Sequence, residues 1–169
     1  VMGGLNHRAR FRLRYRQPLE GTARELERAI PESAQAILDA LGVEGRPVEV
    51  RLAATMEEFR ALQPRRGVPT WAIGTAFPDR NLMVLAVGLS PAKEPIAVVP
   101  LFRHEYSHIA LAWAVGKNPV PRWFKEGFAM HQSEEWSLHR AQVLASAVVS
   151  KRIFPLRRLV RSFPRDPRD

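Results

Sequence analysis

The stretch His104-Glu105-Tyr106-Ser107-His108 carries two imidazoles four residues apart, with a carboxylate beside the first. On an α-helix, residues at that spacing share one face, about one turn (~6 Å) apart along the axis. Two imidazoles so placed can hold one divalent metal from the same side. Glu105 sits next to them and can reach a water on that metal. The residue types and their spacing read as a zinc site with a general base. A catalytic zinc usually takes three protein ligands and keeps one position open, so a third ligand must come from elsewhere. In Pro121-Arg122-Trp123-Phe124-Lys125-Glu126-Gly127-Phe128-Ala129, Glu126 falls eighteen residues after His108. The rest of one helix, a short turn and the start of a returning helix fit that spacing. Trp123, one turn earlier, and Met130, one turn later, are expected on the same face as Glu126.

These side chains need a helix to carry them, and the surrounding sequence supplies one. Pro100 suits a first helical turn and Gly116 a C-terminal cap. Leu101, His104, His108, Leu111 and Val115 follow at spacings of three or four, so both histidines are expected to point inward with an apolar stripe. The plain alternative is an ordinary helix with hydrogen-bonded histidines or a buried ion pair. The Glu126 segment weighs against it. For Glu126 itself the plain reading is a glutamate favoured near a helix N-terminus; for Trp123 and Phe124 it is core packing.

Upstream, Arg10-Phe11-Arg12-Leu13-Arg14-Tyr15-Arg16 alternates strictly and predicts a half-buried strand. Thr22 with Glu25 forms a capping-box pattern opening a helix with an apolar stripe of Leu26, Ile30, Ala34, Ile37 and Leu41, ended by Gly42. Pro31 lies inside that pattern and predicts a kink or a break. Pro47 to Leu52 alternates and reads as a second strand. Thr55 with Glu58 caps a short helix to about Leu62, and residues 63–69 read as loop. Trp71 to Phe77 is a third strand, Pro78 to Asn81 a turn, and the apolar run Leu82 to Val87 a fourth strand. Pro121 opens a helix to about Glu135. Another is expected from Ser137 to Val149, with a helical piece near Leu156 to Val160. Strands first and helices later predict an α+β class. The whole chain, residues 1–169, reads as one domain with a core of about residues 10–150.

Composition bounds the rest. The chain has 169 residues, 46% of them hydrophobic, enough for one domain with a real core. No apolar run reaches the ~18 residues of a transmembrane span. The opening residues Val1 to Arg8 lack the apolar core of a signal peptide. With no cysteine, disulfides and thiolate zinc sites are excluded, and any zinc here uses histidine and carboxylate ligands. The formal net charge of +9 is arginine-rich, with clusters at Arg10 to Arg16 and Arg152 to Arg168. A solvated basic surface is the first reading of that charge and nucleic-acid or anionic-membrane contact the alternative, which no nucleic-acid motif or aromatic-basic interleaving supports.

The pair of motifs, His-Glu-x-x-His followed by Pro-x-Trp-Phe-x-Glu-Gly-x-Ala, resembles the gluzincin metallopeptidases. More narrowly, it is similar to the bacterial peptidase MA-like domains, relatives of thermolysin and the zinc aminopeptidases. The early strands, with Trp71-Ala72-Ile73-Gly74-Thr75-Ala76 and Leu82 to Val87, resemble that group more weakly. The resemblance implies a zincin-like fold, with a small mixed sheet and kinked helix before the metal helix and helices after it. It implies Zn²⁺ held by His104, His108 and Glu126, Glu105 as general base, and hydrolysis of peptide bonds. It also implies that a strand bordering the cleft pairs with an extended peptide, and Leu82 to Val87 is the strand expected to do so. Such domains are often exported or envelope-associated, and an extracytoplasmic place is implied on that analogy alone.

One departure stands out. Thermolysin-like enzymes carry an acidic residue four after the third ligand, where this chain has Met130. Loss of such a supporting partner commonly costs ~10- to 100-fold in affinity or activity. This motivates a second reading, a degenerate peptidase-like module that binds a peptide or protein partner without cleaving it. A third, a nucleic-acid-associated metalloprotease, is prompted by the charge and opposed by the Glu126 setting. No transition-state stabiliser is assigned: His131 and His139 are candidates in name only, and each reads first as a surface or packing histidine. His7 lies near the terminus and reads as exposed. No amine-recognising motif precedes the metal helix.

Overall fold

The computed structural model describes residues 11–65, 67–68, 72–88 and 96–134. Among them the chain is mixed α+β. Strand β1 (Phe11–Arg14) leads into helix α1 (Glu20–Leu41), then β2 (Val48–Ala53), α2 (Met56–Ala61), β3 (Gly74–Phe77), β4 (Leu82–Ala86), α3 (Val98–Val115) and α4 (Arg122–Gln132). The sheet order is β1-β2-β4-β3. The first three of these pair in parallel and β3 pairs antiparallel with β4, in register Gly74 to Leu85 and Phe77 to Leu82.

The sheet has two unlike faces because strand residues alternate. Phe11, Leu13, Val50, Leu52, Met83 and Leu85 join Leu26, Ile30 and Ile37 of α1 and Phe102, Tyr106 and Ile109 of α3 in the main core. On the opposite face, Ala53, Val84 and Ala86 form a smaller core with Phe59 of α2 and Phe77 of β3. The β1–β2 end of that second face is polar. There Arg14 and Arg51 both pair with Glu49, at 3.2 and 2.8 Å.

Helix α3 runs through the middle of the molecule, packed against α1, α4, β3 and β4. Its buried residues surround most of its circumference. Gly116 closes it at φ 58°, ψ −120°, a positive-φ conformation that L side chains rarely adopt, and its amide bonds to the Ala112 carbonyl at 3.0 Å. The C-terminal part of α3 is tied to the turn before β4: Trp113 Nε1 donates to Asn81 Oδ1 at 2.9 Å. Asn81 itself holds a left-handed φ of 47°, which asparagine tolerates better than most residues.

Several expectations shift in detail. Helix α1 starts at Glu20, preceded by a 3-10 turn over Gln17–Leu19, so Thr22 and Glu25 lie inside it and do not cap it. Pro18 presets the entering turn and Leu19 is buried, which draws the start forward. Pro31 does not break α1. It sits on the exposed face, while Ile30, Ala34, Ile37 and Leu38 on either side are buried and hold both halves to the core. Thr55 does cap α2, accepting from the Glu58 amide at 3.1 Å. Glu58 returns its carboxylate to the amide of Ala54 at 2.9 Å, one residue earlier than a regular capping box.

The strand Leu82–Ala86 does not border the cleft. All five of its residues are buried and it has a neighbour on each side. An unbroken apolar run is what a strand covered on both faces carries. The edge strand on that side is β3. The helices expected at 137–149 and 156–160, and His7, Trp71 and His139, lie outside the described residues.

Candidate metal centre

Helix α3 presents His104 and His108 one turn apart, their ring centroids 5.0 Å from each other. They do not join the buried core, as the apolar stripe suggested. Both side chains keep 18% exposure and open into a cleft. The core side of α3 is instead Phe102, Tyr106, Ile109 and Ala110, all fully buried. Leu111 and Val115 line the cleft beside the histidines, so the stripe is continuous but forms a wall of the cleft.

Helix α4 brings Glu126 across from the pair. One oxygen, Oε2, lies 3.7 Å from His104 Nε2 and 3.7 Å from His108 Nε2. One ligand atom from each of the three residues falls within 4.8 Å of the others. Two donors each ~2.1 Å from a tetrahedral ion sit ~3.4 Å apart, so the two contacts of Glu126 with the imidazoles need only a few tenths of an ångström of closure. The other oxygen, Oε1, is 3.6 Å from Arg122 Nε, one helical turn earlier. The carboxylate therefore has one oxygen toward the histidines and one toward a guanidinium.

The charge states suit a cation. Burial pushes the His108 imidazole from its usual 6.5 down to about 4; Glu126 opposes that shift, while His104, Lys125 and Arg122 reinforce it. His108 is thus neutral at neutral pH, with a lone pair to offer. Glu126 is held below the ordinary carboxylate range by its hydrogen bond with His104, with His108 and Arg122 assisting against the opposing effect of burial. It is ionised at neutral pH. The set of two imidazoles, that of His108 neutral, and one carboxylate fits a divalent metal of borderline character.

Glu105 is 7% exposed and lines the same cleft. It packs against the backbone of Gly74, in the edge strand β3. A Cβ at Gly74 would overlap Glu105 Oε1 and stand 2.8 Å from Leu101 Cδ1. The strand can come this close to the helix only because residue 74 has no side chain. The cleft, of about 590 Å³, runs from Gly74, Thr75 and Ala76 of β3 across the metal group to Val120 in the α3–α4 connection.

No family model, curated protein or solved structure matches this chain. The His104, His108 and Glu126 group could hold a metal ion on its own geometry.

The four residues singled out by sequence all reach one cleft. Trp123 and Met130 do not line it, although both were expected beside Glu126. Trp123 meets Phe124 edge-on at 5.9 Å, and its indole nitrogen is buried without a hydrogen-bond partner among the described residues. His131 is exposed at the end of α4 and is not among the cleft residues. Sequence reasoning missed Gly74, Arg122 and Lys125. A glycine inside a strand pattern signals close backbone approach, and the Arg122–Glu126 spacing of four signals a helical pair; both signals were present.

Proposed function

We propose that this protein is a zinc-dependent peptidase of gluzincin type, with a zincin-like fold. One observation carries the reading: the two histidines of the His-Glu-x-x-His helix and a glutamate eighteen residues later converge within 4.8 Å, with Glu105 in the same cleft. His104, His108 and Glu126 would hold the metal, whose Lewis acidity would polarise a peptide carbonyl.

This chain's own residues account for the remaining chemistry. The Glu105 carboxylate takes a proton from the attacking water and passes it to the leaving nitrogen. Its burial limits its motion, and the contact with Gly74 fixes one side of it. Among the described residues strand β3 is the edge strand at the cleft, so its outer backbone groups can pair with an extended substrate. That role passes to β3 from the strand Leu82–Ala86, which has no free edge. The extracytoplasmic placement stays with the family analogy. Among the described residues, no helix is long and apolar enough to cross a membrane.

The test is zinc content by elemental analysis, beside the His108→Ala variant, followed by cleavage of a peptide library by the wild type and Glu105→Gln. About one zinc per chain, lost in His108→Ala, with turnover abolished and zinc retained in Glu105→Gln, is the expected result. Full activity in Glu105→Gln overturns the assignment. Zinc binding and peptide binding without any cleavage by the wild type would favour the non-cleaving module, for which Met130 in place of an acid is the motive.

A further inference from the structure

We propose that the cleft takes peptides carrying a carboxylate close to the bond they present, and that Lys125 is the contact for it. This deepens the peptidase reading above and rests on it.

Among the described residues, the charged ones lining the cleft apart from the metal group and Glu105 are Arg122 and Lys125, both cations. The acids there are already engaged: Glu126 faces the two histidines and Arg122, and Glu105 is packed against Gly74. With a divalent cation held, those two carboxylates are balanced and the lining is left positive. Lys125 is exposed and has no salt bridge among the described residues. It lines the same cleft as His104, His108 and Glu126 and is the neighbour of Glu126 in the chain.

The position of these cations is informative. Arg122 opens α4, Lys125 follows within its first four residues, and no acidic residue lies in the first turn. Basic residues at a helix N-terminus work against the helix dipole by ~0.3–1 kcal/mol each. The local rule is broken where the chain meets the cleft, which is where function most often overrides it. Val115 and Val120 supply an apolar wall beside the cations, suited to the aliphatic part of a glutamate side chain or to a C-terminal residue.

The experiment uses the zinc-loaded Glu105→Gln chain, so that binding is read without turnover. Calorimetry measures Kd for octapeptides acetylated and amidated at their ends, identical except for Glu or Gln at one scanned position. A second pair differs only in a free or amidated C-terminus. An acidic member of at least one pair should bind about three- to tenfold tighter than its neutral partner. That ratio should shrink in Lys125→Gln, reverse in Lys125→Glu, and fall with added salt. A preference confined to the scanned positions identifies a side-chain carboxylate; one confined to the terminus identifies a C-terminal carboxylate; either supports the inference. Equal binding within every pair overturns it, as does a preference that survives both Lys125 variants. If no peptide binds at all, the peptidase reading falls and this one falls with it, whereas binding without charge preference removes this inference alone.

Discussion

Gly74 of β3 lies against the carboxylate of Glu105 with no room between them for a methyl group. The edge strand and the general base proposed for the site are therefore set by one close approach. Gly74→Ala must push the strand or the carboxylate aside. Misplacement of a reacting group by ~1 Å can cost ~100-fold, and overpacking costs ~1–3 kcal/mol. The expected result is a 10- to 100-fold loss in kcat/KM with zinc content intact, measured by peptide turnover and elemental analysis. Wild-type turnover in Gly74→Ala would show that the approach is not needed.

Glu126 turns one oxygen to both imidazoles and the other to Arg122. Glu126→Gln keeps the shape and removes the charge. It should lower zinc affinity by at least about tenfold, read by competition with a chelator. Arg122→Ala removes the group on Oε1 and should weaken affinity less, because it orients the ligand without touching the metal. An unchanged Kd in Glu126→Gln would move the third ligand elsewhere.

The metal-free protein should lose stability in acid in a definite window. The His108 pKa is about 4 in the fold against an ordinary 6.5. Between those values the unfolded chain takes up a proton that the folded chain refuses, so stability falls as pH drops from 6.5 toward 4. Glu126, held below its ordinary 4.5, acts in the same sense: its stabilisation is present above that value and is lost as pH falls through the lowered one. Urea midpoints at pH 7 and pH 5 in the presence of chelator measure this. His108→Asn should flatten the difference, and an equal slope in both proteins would refute the assignment.

Tyr106, inside the His-Glu-x-x-His stretch, faces away from the cleft. Its ring stacks on Phe102 at 5.5 Å and meets Phe11 edge-on at 5.2 Å. Its hydroxyl is buried with no hydrogen-bond partner among the described residues, and burial pushes its pKa up. Tyr106→Phe removes that cost and should stabilise the fold by ~1 kcal/mol in urea unfolding, with activity unchanged. Destabilisation instead would reveal a partner for the hydroxyl.

The sequence by itself indicated where most of the described elements lie and which side chains could hold a metal. Alternation in Phe11-Arg12-Leu13-Arg14 and the three-to-four spacing of Leu26, Ile30, Ala34 and Ile37 are local patterns, and each element forms where its own pattern lies. The pair His104 and His108 needed only one helix to share a face, so its geometry was legible at once. Element starts were less so. Leu19 and Pro18 moved the opening of α1 ahead of Thr22, because burial outweighed a capping pattern.

Tertiary structure decided which face met what. Leu101, His104, His108, Leu111 and Val115 form one stripe in sequence. Only the placement of β3 and α4 decided that the stripe would line a cleft while Phe102 and Tyr106 took the core. Strand order is equally non-local. An apolar run such as Leu82–Ala86 can lie anywhere inside a sheet, and its pairing with both β2 and β3 made Gly74–Phe77 the edge strand among the described residues. The convergence of Glu126 on two histidines, and of Gly74 on Glu105, depends on contacts between residues 18 to 31 positions apart in the chain. Packing alone fixes those contacts, because no local periodicity relates residues that far apart.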